Sequence, residues 1–342
     1  MSTRSTRSTR VASALALGVA ALALARRTRS IAAVSPELRT SLLWVPLSVG
    51  SRAELALGRR LFGAQGTTAV QEVSVTPLQL PGGQGARLYE PQGRKSPSGA
   101  LLWIHGGGFV LGQAEVDEQL CSQMARDLGI VVLSASYRLA PEHPFPAAVD
   151  DCTAALRYLH AQAGAWGVDP ARIAVGGASA GGGLAASVVQ RACDEQVQVC
   201  FQLLVYPMLD DRTAARRGHD GRGRVGWTPR SNRWAWSAYL GHGVHQDERR
   251  PYAVPSRRAD LRGLPPAYIS VGELDLFHDE DVAYARRLQA AGVPVQLHVE
   301  PGMYHGAESG LHTSVPTMRA FRQRSFDALA QALGPAGRTP GS

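Results

Sequence analysis

Cysteine is scarce in this chain of 342 residues. The four cysteines are Cys121, Cys152, Cys193 and Cys200. Their spacing matches neither a zinc site nor a redox pair, so we expect small core residues in a reducing compartment. His219, His242 and His245 have no matching cysteine or carboxylate pattern. The sequence therefore predicts no bound metal.

The chain also has little net charge once the first thirty residues are set aside. Residues 1–30 hold six arginines and no acidic residue. The rest of the chain holds 30 basic residues against 28 acidic ones, a net charge of +2, although the whole chain carries +8. Because a nucleic-acid-binding protein needs a basic footprint to neutralise phosphates, nucleic acid is not an expected partner.

One local cluster of basic residues remains. Its seven arginines are Arg212, Arg216, Arg217, Arg222, Arg224, Arg230 and Arg233. A single acidic residue, Asp220, lies among them. Such a cluster fits an acidic substrate, an anionic surface or a solvated flexible face, and we favour the solvated face.

The N-terminal segment lacks an apolar run long enough to span a bilayer. Its run covers residues 11–25, whereas a spanning helix needs about 20 residues. Three interpretations stay open for residues 1–30: a signal peptide, a weak membrane anchor, or an amphipathic or disordered extension. Arginines directly after the run disfavour export. We therefore expect a cytoplasmic protein, with weak membrane association or export through residues 1–30 as the alternatives.

A nucleophile is predicted at Ser179, the centre of the sequence Gly-Ala-Ser-Ala-Gly. An apolar run over residues 171–176 predicts a buried strand before it, and the small residues 182–192 predict a helix after it. Gly177 and Gly181 would let the chain turn sharply from strand to helix and hold the serine Oγ above the sheet. Strand, turn and helix together describe a nucleophile elbow.

A glycine-rich loop begins at His105 and reads His-Gly-Gly-Gly-Phe, again after an apolar run. Backbone N–H groups in such a loop bind the oxyanion that forms during acyl transfer. We expect the N–H groups of Gly106, Gly107 and Ala180 to form this oxyanion hole. Gly108 extends the run of glycines, and we expect glycine at 106–108 because a side chain would block the approach of the backbone to substrate. His105 is expected to shape the loop without taking a proton.

The two motifs resemble those of the hormone-sensitive-lipase-like esterases, a group within the α/β-hydrolases. The resemblance covers roughly residues 70–335 and includes the segments 137–148 and 264–280. Two positions depart from the pattern of the family. Ala178 stands where the family usually has Asp or Thr, and Leu276 stands where it usually has Pro.

The resemblance implies an α/β-hydrolase fold, in which helices flank a mostly parallel central sheet and a helical cap covers the site. Residues 70–335 would form the catalytic domain, after the extension 1–30. Residues 31–69 and an insertion at about 210–260 would form the cap. The insertion carries the aromatic residues Trp227, Trp234, Trp236 and Tyr239. They either line an apolar acyl pocket or pack the core of the cap, and both interpretations stay open.

The acid and the base follow the serine along the chain in this fold. Reacting groups gather beyond the carboxyl ends of parallel strands. Asp275 lies four residues after a predicted strand over 267–271, and His305 lies six residues after a predicted strand over 293–299. We therefore predict a triad of Ser179, Asp275 and His305.

Four other residues could fill these roles. Glu273 and Asp279 are alternative acids, and His298 and His312 are alternative bases. His298 falls inside a predicted strand, where it alternates away from the apolar face, and His312 starts the approach to the last helix. An ordinary solvated or capping role is the simpler interpretation for each of the four.

The predicted roles follow from the chemistry of ester cleavage. His305 would take the proton of Ser179 during attack and later give it to the leaving alcohol. Asp275 would orient the imidazole and stabilise its cationic form. Arg138 is expected to pair with Glu142 and so brace a proline-rich loop.

The sequence thus predicts a serine hydrolase that acts on carboxylic esters without a cofactor. The resemblance implies short to medium acyl chains and a small-molecule ester as partner. An amidase or a lactonase with the same triad is the nearest alternative. The fold also serves as a small-molecule receptor where a triad member is lost, but all three members are present here. The oligomeric state stays open, a homodimer included.

Overall fold

The computed structural model describes residues 18, 21–45, 48–62, 68–244, 247–309 and 312–334. The strands in these ranges are β1 (Val73–Gln79), β2 (Gly85–Pro91), β3 (Ser98–Ile104), β4 (Val131–Ala135), β5 (Val168–Ala178), β6 (Phe201–Val205), β7 (Ala267–Gly272) and β8 (Val295–Glu300). They form one sheet in the order β1-β2-β4-β3-β5-β6-β7-β8. β2 is antiparallel to both β1 and β4, and the other neighbours are parallel. The prediction of a mostly parallel sheet is confirmed.

Helices cover both faces of this sheet. The helices in the described ranges are α1 (residues 21–33), α2 (Arg52–Phe62), α3 (Glu118–Leu128), α4 (Ala147–Gln162), α5 (Ala180–Asp194), α6 (Asp211–Ala215), α7 (Pro229–Leu240), α8 (His278–Ala290) and α9 (Pro316–Leu333). α4, α5 and α8 pack on one face, and α3 and α9 pack on the other. The strand that precedes Ser179 and the helix that follows it are where the sequence predicts them.

The central strand β3 shows why the sequence predicts this sheet well. Every residue of β3 is buried. Leu102 and Ile104 join the hydrophobic cluster on one face, whereas Leu101 and Trp103 join the cluster on the other. Because successive side chains of a strand point to opposite faces, a strand covered on both faces reads as a continuous apolar run. Each buried leucine or isoleucine contributes about 1.5–3 kcal/mol to folding.

The cysteines match their prediction only in part. Cys121 and Cys152 are buried in the core, but Cys193 and Cys200 are only half-buried. Cys193 lies near the end of α5, and Cys200 lies just before β6, where the chain is near the surface. Both side chains pack against the hydrophobic clusters, so these two cysteines lie at the edge of the core and not inside it. Within the described ranges, no group of three or more His, Cys, Asp or Glu residues could hold a metal ion.

The expected pair between Arg138 and Glu142 does not form. Arg138 instead makes a two-point contact with Asp151 of α4, at 2.7 and 2.9 Å. Asp151 is almost wholly buried, and a buried carboxylate needs a cation beside it. Glu142 pairs with Arg59 of α2 at 2.8 Å, and this arginine lowers the pKa of Glu142 to about 2. The loop is braced, but by two different elements.

The arginine cluster in the insertion is largely exposed to solvent, as expected, with Arg222 half-buried, but several of its members are paired with carboxylates. Arg216 and Arg222 both contact Asp279 of α8, at 3.5 and 3.1 Å. Arg230 pairs with Glu54 of α2 at 3.0 Å. Each exposed pair is worth about 1 kcal/mol at most. Their effect is to connect the insertion with neighbouring helices.

The segment before the catalytic domain packs against the loops of the site. The guanidinium of Arg27 in α1 donates to the carbonyl of Arg224 at 2.7 Å and to the carbonyl of Leu43. The backbone N–H of Ser35 donates to the carbonyl of Gly302 at 3.0 Å. Underneath these contacts the side chains of Ile31, Val34, Leu38 and Leu43 are buried. None of the helices in the described ranges is long and apolar enough to cross a bilayer.

These contacts make the effect of an N-terminal truncation depend on where the cut falls. We expect deletion of residues 1–20 to leave turnover of a soluble ester within about twofold, because α1 and its contacts remain. Deletion of residues 1–34 should lower turnover by about tenfold, because the loops that α1 supports would shift. Steady-state kinetics on both truncated proteins would measure this difference, and equal turnover would contradict it.

A pair of single substitutions gives the control for the truncations. Arg27→Gln removes the hydrogen bonds to the carbonyls of Arg224 and Leu43. Like the longer deletion, it should lower turnover. Arg26→Gln changes an exposed neighbour with the same loss of charge and should have no effect.

Candidate active site

Ser179 lies at the turn between β5 and α5, in a conformation that few residues adopt. Its backbone angles are φ 57° and ψ −121°. For a residue other than glycine, such a conformation costs about 1–3 kcal/mol and must be imposed by its surroundings. A Cβ atom on Gly177 would lie 2.5 Å from the carbonyl carbon of Gly181, and one on Gly181 would overlap the carbonyl oxygen of Ile104. Only glycine therefore fits two positions before the serine and two positions after it.

Hydrogen bonds to the next strand hold this turn. The N–H of Ser179 donates to the carbonyl of Val205 at the end of β6, at 2.9 Å. Its carbonyl accepts from the N–H of Met208 at 2.9 Å and from that of Gly183 at 3.0 Å. The position of the serine is thus fixed by backbone contacts on both sides.

The three residues predicted as a triad are brought together in a chain of hydrogen bonds. Ser179 Oγ lies 2.9 Å from His305 Nε2, and His305 Nδ1 lies 2.8 Å from Asp275 Oδ2. The other oxygen of Asp275 accepts from the N–H of Phe277 at 2.9 Å. Asp275 is wholly buried, and the side chain of His305 is 10% exposed. A carboxylate held in this way fits an imidazole that carries its proton on Nδ1 and faces the serine through Nε2.

The glycine-rich loop after β3 runs past the serine. A Cβ atom on Gly106 would lie 3.1 Å from the carbonyl oxygen of Ala178 and 3.5 Å from Cβ of Ser179. Gly107 has φ 114°, and a Cβ atom there would lie 2.7 Å from the carbonyl carbon of Leu111. The loop therefore leaves no room for a side chain at Gly107 and little room at Gly106, two of the positions where the sequence predicts oxyanion donors. Ala180, the third predicted donor, is the first residue of α5, where helix N–H groups lack partners within the helix.

His105 is held as a neutral part of this loop. Its ring stacks on Tyr137 with 4.3 Å between centroids, and its Nδ1 lies 2.7 Å from the carbonyl oxygen of Gly106. Tyr137 also donates its hydroxyl to the carbonyl of His105 at 3.1 Å. Burial lowers the pKa of His105 to about 4. The contribution of Tyr137 is one that the sequence analysis missed, since no local pattern links it to the loop.

The alternative acids and bases are engaged elsewhere, and among them the buried His312 lies edge-on to the ring of Tyr304, with 6.3 Å between centroids. Glu273 accepts from the N–H of Gly302 at 3.0 Å, and Asp279 contacts the two arginines of the insertion. His298 Nε2 lies 2.8 Å from Glu300 Oε2, and its ring lies beside that of Phe321 in α9. It is half-buried, whereas Leu297 next to it is exposed, the reverse of the predicted alternation. The reason is that β8 is an edge strand and α9 covers the face to which His298 points.

Some aromatic residues of the insertion pack the core of the cap, and one lies at the site. Trp236 and Tyr239 are wholly buried and pack around Phe109, the residue that ends the glycine-rich sequence. Trp227 instead lies at the site: a Cβ atom on Gly108 would lie 2.8 Å from its Cζ2 atom, and its ring centroid is 6.4 Å from that of His305. Trp227 therefore forms a wall beside His305 and the glycine-rich loop.

Comparisons with known proteins agree with this architecture. The family model described as the alpha/beta hydrolase fold matches residues 101–309. The carboxylic ester hydrolase LipN of Mycobacterium tuberculosis is 40% identical over 68% of this chain and 64% of its own length. Esterase LipI of the same organism is 36% identical over 88% of this chain and 96% of its own length. A solved bacterial heroin esterase has a TM-score of 0.81 and 40% identity, covering 89% of this chain and 99% of that one.

A mostly parallel sheet with a serine at a sharp strand-to-helix turn defines an α/β-hydrolase. The chain belongs to this alpha/beta hydrolase family, and the resemblance to its hormone-sensitive-lipase-like esterases is confirmed. It is a carboxylic ester hydrolase of the superfamily.

Proposed function

We propose that this hydrolase cleaves short- to medium-chain acyl esters with Ser179 as nucleophile, His305 as general base and acid, and Asp275 as the acid that orients the histidine. The observation that carries the proposal is the continuous line of hydrogen bonds from Ser179 Oγ through the imidazole to the buried carboxylate, at 2.9 and 2.8 Å. These two distances support the roles proposed for all three residues.

The reaction proceeds in two halves. His305 Nε2 takes the proton of Ser179 as Oγ attacks the ester carbonyl, and the same proton then goes to the leaving alcohol as the acyl-enzyme forms. In the second half a water molecule gives a proton to His305 and attacks the acyl carbon. The bond from that carbon to Ser179 Oγ then breaks, His305 returns the proton to Oγ, and the carboxylic acid leaves. Asp275 stabilises the imidazolium in both halves.

The N–H groups of Gly106, Gly107 and Ala180 stabilise the negative charge on the carbonyl oxygen in both halves. Each donor of this kind lowers the barrier by about 3 kcal/mol in comparable sites. The support for these three is the limited room for side chains along the loop and the position of Ala180 at the start of α5.

A panel of nitrophenyl esters graded by acyl length tests the proposed substrate class. It should be run beside the corresponding amides and a set of lactones. We expect turnover of the acetate to hexanoate esters and little turnover of amides. Faster cleavage of amides or lactones than of any ester would overturn the assignment, and organophosphate labelling of a residue other than Ser179 would overturn the choice of nucleophile.

Trp227 sets the size limit of the acyl pocket in this proposal. Its indole N–H donates to Asn232 Oδ1 at 3.2 Å, so the ring is held against the glycine-rich loop. Trp227→Ala should shift the kcat/KM preference toward longer acyl chains by about tenfold, because one methylene in an apolar pocket is worth about 1–3 kcal/mol. Trp234→Ala, which removes a half-buried indole of α7 in the same insertion, is the matched control. An unchanged preference in the first variant, or the same shift in both, would contradict this role.

A further inference from the structure

The imidazole of His305 needs more than its two hydrogen bonds to be held in a reactive orientation. Those bonds and the link to Cβ fix the two ring nitrogens, but small changes of the side-chain torsions still let the ring tilt. Two aromatic edges limit this tilt. The ring of Tyr206 lies 4.8 Å from that of His305 at an angle of 66°, and the ring of Phe277 lies 5.1 Å away at 89°.

The two aromatic residues are held in different ways. Phe277 is wholly buried, and its N–H donates to Asp275, so its position is tied to the acid itself. Tyr206 follows β6 with φ 36°, and its N–H donates to the carbonyl of Ser270 at 2.6 Å. It lies between Val205 and Met208, the two residues that bond the backbone of Ser179. The hydroxyl of Tyr206 donates to Glu308 Oε1.

Glu308 is an unusual residue to find at this place. It lies three residues after His305, is only 9% exposed, and its second oxygen has no partner among the described residues. The charged groups that act on it are Asp117, from the turn before α3, and Arg322 of α9. Burial raises the pKa of Glu308 to about 8, so the group is a neutral acid at pH 7. A buried carboxyl without a paired cation is costly to the fold, which points to a role other than stability.

We propose that Glu308 and Tyr206 form a positioning pair for His305. Glu308 holds the hydroxyl of Tyr206, and the tyrosine ring then holds the imidazole in line with Ser179. The pair thus links the strand end that supports the nucleophile with the loop that carries the base. This inference rests on the proposed roles of Ser179 and His305.

Three variants test the pair on a nitrophenyl acetate assay. Tyr206→Phe keeps the ring and removes the hydroxyl, and Glu308→Ala removes the acceptor. Both should lower kcat by about ten- to hundredfold with KM nearly unchanged, because a small misplacement of a reacting group costs this much. Glu308→Gln keeps a neutral acceptor at the same place and should restore kcat to within about threefold of the original. The rate of organophosphate labelling of Ser179 should fall and recover in parallel.

Tyr284→Phe is the matched control. It also removes a buried tyrosine hydroxyl, which accepts a hydrogen bond from Gln190 Nε2 at 3.1 Å between α5 and α8, and it should leave kcat unchanged. Glu308→Gln as impaired as Glu308→Ala, or Tyr206→Phe as active as Tyr284→Phe, would overturn the pair. Should Glu308→Ala fail to fold, Tyr206→Phe and Glu308→Gln decide the question. Absence of ester turnover and of Ser179 labelling in the unmodified protein would instead refute the proposed function itself.

Discussion

Ser179→Ala is expected to lower ester turnover by about a millionfold while leaving the fold intact. The change removes one oxygen atom, whose hydrogen bond is to His305 Nε2. The backbone bonds that hold the turn use the N–H and the carbonyl of residue 179, and both remain in alanine. The chemistry is lost because no other group on the elbow can attack the carbonyl.

Turnover of nitrophenyl acetate, thermal unfolding and organophosphate labelling would together measure this effect. Ser187→Ala is a suitable control, because Ser187 is a buried serine of the same helix α5. It should keep its turnover and its labelling. Substantial residual activity in Ser179→Ala with an unchanged fold would mean that another residue is the nucleophile.

Asp275→Asn is expected to cost on the order of ten-thousandfold in turnover. An asparagine amide would donate to Nδ1 and stabilise the tautomer with its proton on Nε2, which cannot accept the proton of the serine. Asparagine has nearly the same size as aspartate, so the packing around this wholly buried side chain is preserved. The loss should therefore appear in kcat and not in the melting temperature.

The same change at Asp279 provides the comparison. Asp279 lies four residues later, at the start of α8, and contacts Arg216 and Arg222 rather than the catalytic histidine. Asp279→Asn weakens two exposed ion pairs and should reduce turnover by less than about tenfold. Similar losses for the two variants would show that the wrong acid had been assigned.

The parts of this site that the sequence predicts are those in which a local pattern forces the geometry. The strand before Ser179 is continuous in apolar residues, and the glycines around the serine permit one kind of turn. The ends of β5, β7 and β8 lie along the same edge of a parallel sheet, so Asp275 and His305 could be found by counting residues past each strand. Their catalytic roles remain predictions until the variants are measured.

The parts that the sequence does not predict are contacts between distant segments. Arg59 and Glu142 are 83 positions apart, and Tyr206 and Glu308 are 102 apart. Arg27 reaches a carbonyl 197 positions away. No spacing or composition signals such pairs, because the partner is selected by tertiary packing. For the same reason the sequence predicts Glu142 as the partner of Arg138, whereas the structure has Asp151. Asp151 attracts the arginine because its carboxylate is buried, and burial is a property of the folded chain.

The backbone of Ser179 has a consequence for the balance between activity and stability. Serine and alanine both occupy the unfavourable conformation at φ 57°, whereas glycine would adopt it without strain. Relief of about 1–3 kcal/mol, less the entropy that glycine loses on folding, should make Ser179→Gly more resistant to unfolding than the active protein. The elbow is thus a position at which the most stable sequence is an inactive one, so a screen for thermostability alone would select against catalysis.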